Sequence, residues 1–190
     1  MSFADIPVDD WTVERVVGTD DVVLAYLSGS PALVDESDVQ QSKHVDHVRT
    51  IAPGRYECRV SDPLLAVVAR LGQRVEVDLA ADGTEVEATL PDAGLQRLLT
   101  EVADAGESVE LLAKKHLFEP EAADAFAEVF DSADLSKPER ATLEAAFFAG
   151  YFDEPPKTNA ADLATSLQLP ESTILNRIAR VERSLFGIVL

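Results

Sequence analysis

The chain has 190 residues, of which 46% are apolar, and its 35 acidic and 16 basic side chains give a formal net charge of −19. The apolar content is enough for the core of one medium domain or two small ones, and the acidity excludes non-specific nucleic-acid binding as a default property at low salt. Molar salt shortens the Debye length to about 3 Å and removes that repulsion. The aspartate-rich, lysine-poor usage, with 5 Lys against 11 Arg, favours a salt-adapted protein, although an acidic mesophilic protein would have a similar composition.

Cysteine content and hydropathy bear on the cellular compartment. The single cysteine, Cys58, excludes an internal disulfide. No apolar run approaches the roughly 18 residues that a membrane span requires. The start, MSFADIPVDD, also lacks the basic and then apolar pattern of a signal peptide. We therefore expect a soluble, cytoplasmic protein without membrane contact.

Strand patterns dominate the first part of the chain. The run DVVLAYL at 21–27 predicts a buried strand, and VQQSKHVDHVRT at 39–50 fits either an edge strand or a helical turn. From residue 56 apolar positions alternate with Glu57 and Arg59. This alternation predicts a half-buried strand.

A helix, a hairpin, a second helix and a last strand are predicted next. Ser61 or Asp62 can cap the first helix, and RVEVDL and TEVEATL, joined by Ala81-Asp82-Gly83, predict a β-hairpin. SVELLAKK at 108–115 predicts the last strand. The apolar stripes of the two helices are Leu64, Leu65, Val68 and Leu71, and then Leu95, Leu98, Leu99 and Val102.

This order of elements is the split βαβ arrangement of ferredoxin-like sheets. We therefore expect an α+β fold whose residues 1–118 form a ferredoxin-like βαββαβ domain for regulation and dimerisation. The run EPEAADAFAEVF predicts a linking helix within 119–134.

Residues 135–190 predict an all-α domain. Ser136-Lys137-Pro138-Glu139 fits a capping box with proline in the first turn, and Gly150 ends that helix. After the proline-containing connector, Thr158 or Asn159 can cap a second helix with Leu163, Ala164 and Leu167 as its buried face. A third helix begins near Glu171, with its apolar stripe at Ile174, Ile178, Val181 and Leu185. Two short helices joined by a tight turn predict a helix-turn-helix.

The opposite face of the third helix is polar and cationic. Thr173, Arg177 and Arg180 share one strip, which Asn176, Arg180 and Arg183 extend. Arginine can pair with guanine or grip a phosphate, and asparagine can pair with adenine. From Lys157 onward four basic residues stand against three acidic ones, a net charge of +1 in a strongly acidic chain.

The segment from Leu135 resembles the helix-turn-helix domain of the bacterio-opsin activator family of haloarchaeal transcription regulators. The matching positions are Gly150-Tyr151-Phe152, Pro155, Leu163-Ala164, Leu167, Ser172-Thr173-Ile174 and Arg180-Val181-Glu182. The resemblance implies a DNA-binding regulator with an upstream regulatory domain.

The sequence departs from the family pattern at two positions of the turn. Gln168 stands where the family has the turn glycine, and Pro170 stands where it has a serine. Pro156 and Ala179 each replace an arginine. We expect an altered turn and weaker or different DNA binding.

Several partner and site assignments follow. The candidate base or backbone readers are Glu171, Ser172, Thr173, Asn176, Arg177 and Arg180, with Lys157 and Arg183 on phosphates. We expect double-stranded promoter DNA, a homodimer, and an unidentified effector or protein partner. The alternative is a protein interaction module that no longer binds DNA.

Other classes of site receive little support. His44 and His47 with Asp46 can ligate a metal, but solvated histidines fit that polar segment better. The sequence shows no nucleophile system and no glycine-rich phosphate loop. We expect neither an enzyme nor a cofactor.

Overall fold

The structure is a computed structural model that describes residues 11–19, 21–29, 45–71, 74–80, 83–90, 94–104, 109–112, 114 and 133–189. Those residues form an α+β fold, as predicted. Its elements, in chain order, are β1 (Trp11–Gly18), β2 (Val23–Gly29), β3 (Val45–Ala52), β4 (Arg55–Val60), α1 (Pro63–Leu71), β5 (Arg74–Ala80), β6 (Gly83–Thr89), α2 (Gly94–Asp104), α3 (Lys137–Phe148), α4 (Ala160–Leu167) and α5 (Glu171–Val189).

Four strands form one antiparallel sheet in the order β1-β2-β4-β3. The strand predicted at 21–27 is β2, whose residues 23–27 are all buried because β2 lies inside the sheet and both faces are covered. The segment 39–50 provides an edge strand, β3, over Val45–Ala52. Its pairing with β4 shifts register twice, after Val45 and after Thr50.

Each face of this sheet packs against a different set of helices, because successive side chains of a strand point to opposite faces. The first face, which we call the α1 face, packs on Leu65 and Val68 of α1. The second, the α3–α5 face, packs on the three carboxy-terminal helices. The sheet contributes Val17, Val22, Leu24, Tyr26 and Ile51 to the α3–α5 face.

Glu57 departs from the alternation predicted for β4. A half-buried strand would leave Glu57 in solvent, but only 2% of its surface is exposed. The prediction is wrong because α4 covers the sheet at this point, where the Ser166 hydroxyl donates to the Glu57 carboxylate. Glu57 therefore belongs to the interior.

The helix and the hairpin predicted after β4 are present. Asp62 Oδ1 accepts the Leu65 N–H at 3.0 Å, so Asp62 is the residue that caps α1. Strands β5 and β6 pair in register over their whole length. Helix α2 follows the hairpin and buries Val102.

The ferredoxin-like strand order is not confirmed. Both edges of β4 are occupied, by β2 and β3, so β4 has no edge left for the parallel partner that a split βαβ unit requires. β5 and β6 form a separate two-stranded sheet, and 109–112 is exposed and lies in no strand. The linking helix predicted at 119–134 lies outside the described residues, apart from a turn at 133–134.

Candidate nucleic-acid interface

Helix α3 begins and ends where the sequence predicts. The Glu139 carboxylate accepts the Ser136 N–H at 3.0 Å and the Ser136 hydroxyl at 2.6 Å. Gly150 follows the helix with φ of +75°, and a Cβ there would lie 2.9 Å from the Lys157 side chain. Glycine is required here both by the backbone conformation and by the close return of the connector.

Helix α4 is the first helix of the helix-turn-helix. Asn159 Oδ1 accepts the Asp162 N–H at 3.0 Å, so Asn159, one of the two predicted residues, is the cap. Leu163, Ala164 and Leu167 are buried, in the same core as residues of α3 and α5.

The turn between α4 and α5 forms without the glycine of the family pattern. Gln168 itself adopts the left-handed conformation, with φ of 54° and ψ of 41°. The next residue closes the turn, because Leu169 N donates to the Ala164 carbonyl at 2.9 Å. A left-handed conformation costs a residue with a Cβ roughly 1–2 kcal/mol, so Gln168 keeps the turn at some expense of stability.

Helix α5 packs on α3 and α4 through its predicted stripe. Ile174, Ile178 and Val181 are buried, and Leu185 is half-buried. The Pro170 carbonyl accepts the N–H groups of Thr173 and Ile174, so the helix starts directly after the turn. The segment from α4 to α5 therefore has the geometry of a helix-turn-helix.

Most of the predicted site residues lie on the exposed side of this domain. Ser172, Asn176, Ala179 and Arg183 are exposed and recur at i, i+4, i+7 and i+11, opposite the buried isoleucines. We call these four residues the outer strip. Glu171, Arg180 and Lys157 are also exposed, whereas Thr173 and Arg177 are half-buried at the flank.

Arg177 is directed away from the outer strip and toward α3. Its Nη1 donates to the buried Thr142 hydroxyl at 3.2 Å. The side chain lines a cleft of about 440 Å³ whose other walls include Asp21, Lys137 and Gln168. The structure thus separates Arg177 from Arg183, which the sequence placed on one surface.

Arg180 remains largely accessible although it has an acidic neighbour. Its Nη1 lies 3.3 Å from Glu139 Oε1, and 76% of the Arg180 side chain is exposed. The Ser136 hydroxyl and backbone hold the pKa of Glu139 below its usual value, with smaller contributions from Arg180 and Arg177. Exposed ion pairs contribute only about 0–1 kcal/mol, so this contact leaves the guanidinium able to bind another anion.

One exposed side chain of α5 was not expected at this surface. Leu175 is 46% exposed and lies next to the outer strip. The sequence could have indicated this exposure, because Leu175 follows Ile174 directly and therefore lies outside the apolar stripe of the helix. Leu175 adds an apolar contact to a surface that is otherwise polar.

Other candidate chemistry does not assemble in the part of the chain that the structure describes. In those residues no three His, Cys, Asp or Glu side chains group as metal ligands. His47 is exposed and Cys58 is fully buried, while His44 lies outside the described residues.

Among the described helices, none is long and apolar enough to cross a membrane.

Comparison with known families bears on residues 135–187. They match a family described as an HTH DNA binding domain, and the match covers all three carboxy-terminal helices except the end of α5. No curated protein and no solved structure matches the chain. This match supports the resemblance of residues 135–187 to the helix-turn-helix domain of the bacterio-opsin activator type.

Proposed function

We propose that the protein is a sequence-specific transcription regulator that reads double-stranded promoter DNA with α5 in the major groove. The observation that carries this proposal is the outer strip. Ser172, Asn176 and Arg183 are exposed opposite a buried isoleucine stripe, within a segment that matches a DNA-binding family. Polar side chains on one exposed face of a recognition helix are what base reading requires.

The side chains divide into two roles. Base or backbone reading falls to Glu171, Ser172, Thr173, Asn176, Arg177 and Arg180. Lys157 and Arg183 bind phosphates. The half-buried position of Arg177 supports a backbone contact from the flank rather than a base contact in the groove.

The upstream part of the chain supplies regulation in this proposal. The regulatory and dimerising domain comprises residues 1–118, and the DNA-binding domain comprises residues 135–190. A linker helix at 119–134 connects the two domains. Two-fold symmetry then predicts half-sites one helical turn apart, or a multiple of it. The excess of 35 acidic over 16 basic residues supports a salt-adapted cytoplasmic protein of a haloarchaeon. At high salt, base contacts and shape supply most of the specificity because counterion release contributes little.

The test begins with selection of a binding site from random duplex DNA, followed by anisotropy titrations in one salt-matched buffer. We expect the joint change Asn176→Ala and Arg180→Ala to weaken binding by at least about 30-fold, since each good base contact contributes ~1–3 kcal/mol. Arg97→Ala is the matched control, because Arg97 lies 60% exposed on α2, outside the carboxy-terminal domain. Unchanged affinity in the double variant would exclude this surface as the reader.

A second candidate function is a protein interaction module that no longer binds DNA. Its support is the apolar exposure on α5, where Leu175 is 46% and Phe186 62% exposed. Exposed apolar surface on a helix can mark contact with another protein when it forms a contiguous patch. If no duplex is selected and Leu175→Ser abolishes capture of a partner, this second function replaces the first.

A further inference from the structure

Glu57 lies at the junction between the sheet and the helix-turn-helix domain. It sits on β4 inside the sheet and is 2% exposed. Arg49 of β3 binds it through two nitrogens, with Nε 3.0 Å from Oε1 and Nη2 3.0 Å from Oε2. The Tyr26 hydroxyl of β2 lies 3.0 Å from Oε2. Side chains of β2 and β3 thus hold the carboxylate of Glu57 on β4, in addition to any contact from the helices.

The helices complete the same polar cluster. The Ser166 hydroxyl of α4 donates to Glu57 Oε1. Arg49 Nη1 donates to the Thr158 hydroxyl, just before α4, at 2.8 Å. The Tyr26 hydroxyl also lies 3.2 Å from the Ala145 carbonyl of α3. The cluster therefore joins the sheet to both ends of α4 and to α3.

The apolar contact around the cluster does not fix a position by itself. On the helical side several alanines, among them Ala145 and Ala149, pack beside larger side chains such as Leu163 and Ile174. Apolar burial is non-directional. Hydrogen bonds to a buried charge are directional and are lost when the partners shift, so they select one placement of α4 on the sheet.

We propose that Glu57 is a positioning residue for DNA binding, because its buried carboxylate fixes α4, and through α4 the recognition helix, at one orientation on the sheet. The coupling to α5 is direct, since Leu163 of α4 and Ile174 of α5 are fully buried in one core. The inference rests on the proposed function and adds that the sheet sets how α5 is presented. A change in the sheet then alters operator affinity through this cluster.

The first experiment compares two variants of the full chain. Glu57→Gln keeps the side-chain volume but removes the charge, whereas Leu65→Ala destabilises the same sheet from its α1 face. Both are titrated with the selected duplex under conditions in which circular dichroism shows each variant fully folded. We expect Glu57→Gln to weaken binding at least about tenfold, which corresponds to ~1.4 kcal/mol, and Leu65→Ala to leave it unchanged. Equal effects of the two variants would overturn the inference.

A milder variant covers the case in which Glu57→Gln does not fold. Ser166→Ala removes one hydroxyl on the helical side and leaves the sheet intact. We expect the same direction of change in affinity, smaller than for Glu57→Gln. Thr165→Ala is the matched control, because Thr165 lies one residue away and is exposed. Its hydroxyl donates to the Ala161 carbonyl of the same helix at 3.0 Å. Identical affinities for Ser166→Ala and Thr165→Ala would contradict the inference.

A readout without DNA separates this inference from the proposed function. Amide hydrogen exchange reports local opening, so we expect Ser166→Ala to speed exchange in α4 by about tenfold relative to Thr165→Ala, or ~1.4 kcal/mol of local stability. Exchange in α1 should not change. Absence of a selected duplex would overturn the proposed function alone, whereas unchanged exchange in α4 would overturn the positioning role even if DNA binds.

Discussion

The two faces of the four-stranded sheet are covered in different ways. The α1 face is filled by branched aliphatic side chains, among them Leu27, Leu65 and Val68. The α3–α5 face also contains large aliphatic side chains, such as Leu163 and Ile174, but it adds several alanines and buried polar groups, among them Glu57 and Ser166. Aliphatic burial stabilises without specifying orientation, whereas a buried charge is costly unless its partners are in place. Apolar burial therefore stabilises both faces, and only the α3–α5 face adds directional contacts of Glu57 between the sheet and the helices among the described residues.

The largest expected effect comes from the α1 face. Leu65 is fully buried, so Leu65→Ala should lower the free energy of unfolding by about 2–5 kcal/mol through lost burial and the cavity left behind. Urea denaturation measures the change. Leu111→Ala is the control, because Leu111 is 52% exposed and should change stability by no more than about 0.5 kcal/mol. A small loss of unfolding free energy in Leu65→Ala would contradict the tight packing of the α1 face around Leu65.

On the α3–α5 face, stability should instead fall when a small buried side chain is replaced by a larger one. Ala145 is fully buried against the sheet, and Ala145→Leu should cost about 1–3 kcal/mol because the added carbons have no space. Ala161→Leu, on the exposed side of α4, is the matched control and should be close to neutral. Thermal unfolding of both variants tests the difference. Tolerance of leucine at 145 would show that the contact is looser than the structure indicates.

A pH experiment addresses the polar part of that face. Burial, and then the neighbouring Glu57 carboxylate, raises the pKa of Tyr26 above its usual value. The folded protein therefore favours the protonated phenol. This contribution to stability is complete below the unfolded pKa of about 10 and is lost as the pH rises toward the folded pKa.

Tyr26→Phe removes both the hydrogen bond and this titration. We expect the free energy of unfolding to fall by about 0.5–1.5 kcal/mol at neutral pH, and to decline less steeply than in the wild type above about pH 10. Urea titrations across that range measure both effects. If the free energy of unfolding of Tyr26→Phe declines above about pH 10 as steeply as that of the wild type, Tyr26 is not the group whose titration causes the decline.

The smallest expected effect lies outside both faces, in the turn between α4 and α5. Glycine at 168 would relieve a left-handed conformation that costs roughly 1–2 kcal/mol but would add chain entropy of about 0.5–1 kcal/mol to the unfolded state. Gln168→Gly should therefore raise stability by about 0–1.5 kcal/mol, the difference between these two ranges. Gln168→Ala should bring no gain, because alanine retains a Cβ. Equal stability of the two variants would show that the turn is not strained.

Much of the fold follows from local pattern. The capping box at Ser136, the β-hairpin and the stripe of α5 were predicted, and the caps Asp62 and Asn159 were each one of two predicted candidates, because these features depend on residues a few positions apart. The helix-turn-helix was predicted for the same reason, and residues 135–187 match the corresponding family.

The errors arise where distant segments meet. The alternation around Glu57 describes a strand but not what covers its far side, so the burial by α4 was missed. The ferredoxin-like order is not confirmed, because β2 and β3 occupy both edges of β4 and leave none for the strands that the order needed. Helical periodicity placed Arg177 beside Arg180, but it did not show that Thr142 of α3 would bind the guanidinium at the flank.

The irregular pairing of β3 has a consequence for self-association. β3 is the last strand of the sheet, it shifts register against β4 at two points, and Asp46 and His47 project from it into solvent. Such interruptions and polar side chains discourage edge-to-edge joining of sheets between molecules. Extension of the sheet from one molecule into another at β3 is therefore disfavoured.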